Sequence, residues 1–377
     1  MSVQTQKNGP LIGFCHYWFF DLRGGEQVVK NFSHALPISF YYALCGRTDR
    51  VKKLIGNVEM RWSFLNKLPF IEKFYRNLLP IFPLACLTVR INKCDIVISN
   101  ESGPAKSFLM PKGCLHICNC LTPMRYLWSH AAEYLESCGY FKKLIYIILL
   151  PFLRFWDKNS SRKVHSFIAI SNHVKDRVKK YYNRDSVVIY PPVRYNLFFV
   201  SESKSDYYFI LSALVSYKRI DLAVRAFNET GKKLKIAGIG PELNRLKSIA
   251  KSNIEFLDRV DDNELPLLYS NAKAFVFPGE EDYGITPLEA QASGTPVIAF
   301  RKGGVTETVK EHLTGVFFEQ QEPASLVAAI QKFEMEGVQF SPQEIRESVA
   351  DFSEEIYQEK IRDFVYGEWN KFKNKTV

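Results

Sequence analysis

The chain has 377 residues, 46% apolar and 24% charged, which is too long for one ordinary domain, enough for two lobes, and incompatible with a disordered polypeptide. Its net charge of +10 is unevenly divided: residues 1–190 hold 27 Lys and Arg against 12 Asp and Glu, and the remainder hold 23 against 28. A basic first half suits an anionic partner such as nucleic acid, an anionic membrane or a pyrophosphate-linked substrate, and a soluble lobe that is merely basic explains the same charge. No aromatic-interleaved basic motif or helix-turn-helix signal supports nucleic acid.

The first element, Leu11 to Cys15, reads as a short buried strand, followed by a turn-rich segment ending Arg23-Gly24-Gly25-Glu26 and a helix expected over 27–34. The runs at 95–99, 115–118 and 166–171 are each short and apolar, and each precedes a helical stretch. That is the rhythm of a parallel sheet with crossover helices. All eight Cys fall between Cys15 and Cys138 without a paired C-x-x-C, so they read as buried thiols rather than zinc ligands. Lys7-Asn8-Gly9-Pro10 precedes only a short apolar run, so no secretory leader is read and a reducing cytoplasm is expected.

The most apolar stretch, Leu144 to Leu153, has ten residues and cannot cross a bilayer core of about 30 Å. Lys142, Lys143, Arg154 and Trp156 around it suit a segment lying on a membrane surface, while a buried core helix explains the same residues. Tyr190-Pro191-Pro192-Val193 breaks the rhythm, and the polar run 201–206 reads as a linker. The expected division is therefore a first lobe over 1–190, a second over 191–352 and a final helix over 353–377. Strand-like runs resume at 207–211, 234–237, 254–257, 274–277 and 296–299. Two doubly wound lobes should face across a cleft between the carboxyl ends of their sheets.

The richest segment runs from Phe277 to Gly304. A strand ends at Pro278, the acidic loop Glu280-Glu281-Asp282 reaches the sheet edge, and Gly284 permits a tight backbone before a helix with Thr286 as N-cap and Pro287 at its first position. A helix start at that edge offers free N–H groups and the positive end of a dipole, which suits a diphosphate. Glu281 falls in the loop and Glu289, eight residues on, in the first turn. Thr286-Pro287-Leu288-Glu289 also fits a capping box, in which Glu289 would only bond the backbone of Thr286.

This segment resembles the E-x7-E signature of the retaining glycosyltransferases of family four, which have the two-lobed α/β fold called GT-B. The likeness extends to Ser216-Tyr217-Lys218-Arg219-Ile220-Asp221, Ile236-Ala237-Gly238-Ile239-Gly240-Pro241-Glu242 and Gly294-Thr295-Pro296-Val297-Ile298. The resemblance implies that Glu281 contacts donor-sugar hydroxyls, that Glu289 holds the nucleotide ribose, and that Lys218 with Arg219 neutralises the diphosphate. Gly284, Ile285, Thr286, Pro287, Gly238 and Val260 would complete the donor site. With those cations and helix N–H groups present, and no D-x-D in the chain, neither a metal nor a cofactor is expected.

In the first half, His16-Tyr17-Trp18, Arg23-Gly24-Gly25-Glu26 and Thr122-Pro123-Met124-Arg125-Tyr126 resemble the mannosyltransferase-like members of surface-polysaccharide assembly. Gly24 and Gly25 would form an open loop over the cleft, and Arg125 would meet an acceptor phosphate, a donor hydroxyl or a structural carboxylate. Two positions depart from the family. Leu121 stands where a His usually meets the sugar's primary hydroxyl, and Ala213 stands where many members carry an Arg near the diphosphate. The function implied is transfer of a hexose or deoxyhexose, with mannose from GDP-mannose the leading choice, to a lipid-linked or polysaccharide acceptor at the inner membrane face. A nucleotide-sugar epimerase of the same architecture and a catalytically impaired nucleotide-sugar-binding protein are the alternatives.

Overall fold

The computed structural model describes residues 9–20, 24–136, 139–335 and 340–376; Arg23 and Cys138 lie outside them. The chain divides into two compact units, one of residues 1–190 with 357–377 and one of residues 191–356.

Among the described residues the first unit is built on seven parallel strands. In chain order these are β1 (Ile12–Phe19), β2 (Ile38–Gly46), β3 (Met60–Trp62), β4 (Ile96–Glu101), β5 (Leu115–Cys120), β6 (Ser166–Ala169) and β7 (Val187–Val188), arranged β3-β2-β1-β4-β5-β6-β7. Seven of the eight residues of β1 are buried, as are all of β4 and β5, because crossover helices cover both faces of a parallel sheet. Side-chain alternation divides the core in two. Ile12 and Phe14 pack with Val29 and Phe32, whereas Cys15 packs with Tyr42, Val97 and Leu153 on the other face.

The helix after β1 runs Gly24–Ala35, three residues earlier than the sequence suggests, so Gly24 and Gly25 open the helix and do not form a loop. The apolar stretch 144–153 belongs to the helix Tyr140–Ser161, whose inner face alone is buried. The final helix, Glu354–Thr376, places Tyr357, Ile361 and Val365 in the core of the first unit. Their spacing of four keeps them on one stripe. Gln358 Nε2 donates to Asn31 Oδ1 at 3.1 Å, fastening the same helix to its neighbour.

Among its described residues the second unit holds six parallel strands: β8 (Tyr208–Leu211), β9 (Leu234–Ala237), β10 (Ile254–Asp258), β11 (Ala274–Phe277), β12 (Val297–Phe300) and β13 (Gly315–Phe318). Their order is β10-β9-β8-β11-β12-β13. β11 and β12 are short wholly buried runs in register, Phe275 opposite Val297 and Phe277 opposite Ala299. Among the described residues no helix is long and apolar enough to cross a membrane.

Candidate functional site

In the second unit the strand order turns between β8 and β11. From β8 the chain moves outward through β9 and β10, and from β11 it moves the other way through β12 and β13. Beyond the carboxyl ends of two such strands a crevice opens, because their connections leave on opposite sides. Lys218 follows β8 and Glu281 follows β11, and they meet there as an ion pair, their side chains 19% and 11% exposed. Gly279 has its α-carbon against the Lys218 backbone, which lets the two loops touch.

Arg219 comes next, in the left-handed region at φ 54°, ψ 36°, a conformation that strains a residue with a side chain. Its guanidinium is held by Asp221 at 3.5 Å and donates to the Gln321 carbonyl at 3.2 Å. Gln321 in turn donates its side-chain amide to the Pro278 carbonyl at 2.9 Å, so this one residue, through its own carbonyl and its side chain, links the loops after β8, β11 and β13. Ala213 is exposed in the loop after β8.

The acidic loop 280–282 is fixed from beneath. Gly304 N–H donates to the Glu281 carbonyl at 2.9 Å, and Gly303, at φ 84°, pairs with Glu281 in an isolated bridge. A Cβ on Gly303 would overlap that carbonyl oxygen, so the close approach and the backbone angle both demand glycine. Lys302 pairs with Glu280 at 3.0 Å, and the Tyr283 hydroxyl donates to the Pro191 carbonyl at 2.8 Å.

The helix after this loop runs Ile285–Ala292, and its N-cap is Gly284 at φ 91°, not Thr286. With no side chain at the cap, the first-turn amides of Ile285 and Thr286 receive no side-chain bond from that position, and Pro287 has no N–H to satisfy. The helix also starts two residues early for a capping box. Glu289 accordingly sits in the second turn, and its carboxylate turns to Tyr269, whose hydroxyl donates to Oε2 at 2.9 Å, and to Arg194 Nη2, 3.8 Å from Oε1. Burial pushes the Glu289 carboxyl up to about 7, although Arg194 and the Tyr269 hydroxyl favour its charged form. Arg194 is itself steered by Asp262 at 2.7 Å.

Lys218, Arg219, Glu281, Glu289, Gly284, Ile285, Thr286 and Pro287 thus belong to the loops and helix start around one switch point. Gly238 and Val260 stand further along the edge, after β9 and β10. Gly238 lies against the Ser212 carbonyl and donates to the Asp258 carbonyl at 2.6 Å, and Val260 is half-buried in the next loop. Asp258 adopts φ 50°, where a short polar side chain is tolerated. Gly294 and Thr295 serve packing: Gly294 abuts Pro342 and Val200, and Thr295 donates to the Tyr269 carbonyl at 2.7 Å.

In the first unit the order turns between β1 and β4, and the helix start at Gly24 lies beyond β1. The α-carbon of Gly25 faces the Tyr17 hydroxyl and Leu121, so the departure at Leu121 borders this helix start. The Gly25 carbonyl accepts from Asn100 Nδ2 at 3.1 Å, and Asn119 donates to Asn100 at 2.6 Å. Arg125 is half-buried in the turn after β5. Sequence reasoning missed Arg194, Tyr269, Gln321 and the pair Gly303-Gly304; only the double glycine after a buried strand left a readable signal.

Residues 196–356 match the family described as glycosyl transferases group 1. An O-antigen chain mannosyltransferase, RfbU of Salmonella typhimurium, is 32% identical over 159 residues, covering 39% of this chain and 45% of that protein. A GDP-mannose-dependent alpha-(1-6)-phosphatidylinositol monomannoside mannosyltransferase of Mycolicibacterium smegmatis is 32% identical over 138 residues, covering 32% and 36%. Both matches span less than half of the curated relative's length. Anabaena HepE, solved in complex with UDP, superposes with a TM-score of 0.70 at 14% identity, covering 95% of this chain and 100% of that one. At that identity the likeness is one of fold, the two-sheet GT-B architecture.

Proposed function

We propose, from the membership of residues 196–356 in the glycosyl transferases group 1 family, that the chain is a retaining glycosyltransferase acting on a nucleotide-sugar. The donor we assign is GDP-mannose, and the acceptor is a lipid-linked or polysaccharide glycan met at the cytoplasmic face of the membrane. The observation that carries this reading is the Lys218 and Glu281 pair at the β8 and β11 switch point. A nucleotide-sugar joins an anionic diphosphate directly to a hydroxyl-rich ring, and a cation beside a carboxylate matches that junction. The two mannosyltransferase relatives support mannose, and the mycolicibacterial one supports guanosine.

In the reaction, the bond between the anomeric carbon and the diphosphate breaks while the acceptor oxygen bonds that carbon from the same face. The acceptor's proton passes to the departing phosphate oxygen. Negative charge grows on the leaving diphosphate, where the Lys218 ammonium, the Arg219 guanidinium and the amides of Ile285 and Thr286 oppose it. One preorganised donor of this kind is worth about 3–4 kcal/mol in the transition state. Glu281 accepts hydroxyls of the sugar and Glu289 those of the ribose, with Tyr269 and Arg194 holding the second carboxylate in place. No divalent metal is needed to neutralise the leaving group on this account.

The test is incubation of the purified chain with labelled GDP-mannose and a membrane extract in the presence of a chelator. The expected result is GDP released in step with mannose entering a lipid or polysaccharide fraction, the anomeric configuration retained. An inverted linkage, a strict metal requirement, or conversion of the donor with no acceptor present would overturn it, the last in favour of an epimerase.

A further inference from the structure

The helix Tyr140–Ser161 has two apolar faces where a core needs one. Tyr146 and Leu153 are buried, and Leu149, Leu150 and Trp156 pack beside them. On the solvent side Phe141, Ile145, Ile148, Phe152 and Phe155 succeed one another in alternating steps of four and three, the spacing of a single stripe along a helix. They are 73, 38, 66, 57 and 67% exposed. Apolar side chains in a continuous exposed row mark a contact surface.

The charges around the stripe choose its occupant. Lys142 and Lys143 at one end and Lys158, Arg162 and Lys163 at the other are exposed and basic. The only carboxylate in 139–163, Asp157, points inward to Lys106, to the Trp128 Nε1 donor at 2.7 Å and to the Tyr182 hydroxyl at 2.8 Å. A second copy laid face to face would bring two basic rims together, whereas an anionic lipid surface complements them.

We infer that the helix Tyr140–Ser161 lies flat on an anionic phospholipid surface, its stripe from Phe141 to Phe155 in the interface and its basic ends on the headgroups. The consequence for the acceptor rests on the function proposed above. Arg154 Nε donates to the Leu127 carbonyl at 2.7 Å, and its guanidinium lies 5.4 Å from the Trp128 ring. The turn that carries Arg125 is therefore fastened to the docking helix, which sets Arg125 at a fixed height above the lipid to meet an acceptor phosphate.

The full chain should be sedimented with phosphatidylcholine vesicles, with and without phosphatidylglycerol, at low and high salt. Binding at least about tenfold stronger to the anionic vesicles, weakened by salt, is expected. Ile148→Asp with Phe152→Asp should weaken it at least about tenfold while GDP-mannose affinity measured without vesicles stays unchanged. Should that pair fold poorly, Lys142→Glu with Lys143→Glu, both exposed, should still reduce binding at low salt, and Lys52→Glu with Lys53→Glu should not. Wild-type indifference to anionic vesicles, or undiminished binding by both helix variants, would overturn the inference. So would a solution dimer dissolved by the aspartate pair, which would assign the stripe to a second copy. A chain that binds vesicles but no nucleotide-sugar would retain this inference and abandon the donor reading.

Discussion

The two units place their charged side chains in opposite ways. In the second, Lys218, Arg219 and Glu281 stand at strand ends on loops braced by glycine and by Gln321, partly open to solvent. In the first, Lys106, Glu101 and Asp157 are sealed within the unit: the Lys106 ammonium pairs with Asp157 and with Glu101 at 3.0 Å, and donates to the Tyr182 hydroxyl at 3.2 Å. Burial works against that ammonium, and Asp157 and Glu101 more than offset it, holding Lys106 charged well above the ordinary lysine range. A buried cluster whose partners are all protein groups has no capacity left for a ligand. Charges at the edge of a parallel sheet, by contrast, can exchange a protein partner for a substrate. Function is expected from the second arrangement and stability from the first.

The sharpest break between them comes from removing one cation on each side. Lys106→Met leaves two buried carboxylates without their counter-charge and should lower stability by about 3–5 kcal/mol in urea unfolding. Lys218→Ala should leave the unfolding free energy within about 1 kcal/mol of wild type, yet lower kcat by about 10²–10³-fold, or about 2.7–4 kcal/mol. Equal stability losses from the two would erase the distinction.

Smaller changes sharpen it. Gly303→Ala forces a side chain into the Glu281 carbonyl at a positive φ, a strain of roughly 1–3 kcal/mol that the acidic loop must relieve by moving. Transfer should fall about tenfold with little change in the unfolding midpoint, as steady-state kinetics and urea titration would show. Tyr269→Phe removes one hydrogen bond to Glu289, worth about 1 kcal/mol, so donor affinity should fall about fivefold in calorimetric titration.

Proton linkage gives the gentlest probe. Because burial raises the Glu289 carboxyl from 4.5 to about 7, the folded chain holds this proton more tightly than the unfolded chain between those values. Its contribution to stability is therefore largest at low pH and is lost as pH rises through that window. Ribose hydroxyls need the ionised form as acceptor, so GDP-mannose affinity should weaken as pH falls below about 7, by up to about tenfold per pH unit. Glu289→Gln should flatten both profiles. The diphosphate of a nucleotide-sugar has no ionisation in that range to confuse the reading.

Much of this architecture was legible because parallel strands buried on both faces read as short apolar runs. β1, β4, β5, β6 and β8 to β12 all announce themselves in that way. β2 did not: the hydroxyls of its Tyr41 and Tyr42 blur the pattern, although four of its five final residues are apolar and buried. β3 and β7 are edge strands of three and two residues, too short to show a period. At the site, the acidic loop with Glu281 and the helix start before Glu289 were visible in the sequence, whereas their roles and that of Lys218 came only from the family resemblance. Arg194, Tyr269 and Gln321 were not visible, since their roles exist only after folding brings segments such as 278 and 321 within 2.9 Å. The helix start at Gly284 was misread because Thr286-Pro287 is a stronger local signal than a glycine whose left-handed backbone is imposed by the loop it ends.

The most direct test of the account is calorimetric titration of the full chain with GDP-mannose in a chelator, for wild type, Glu289→Ala and Lys218→Ala. Saturable binding by the wild type is expected, weakened at least about tenfold in each variant while the fold is retained. Binding equal in all three proteins would contradict a donor site built on Lys218 and Glu289, and so would a wild type that binds no GDP-mannose.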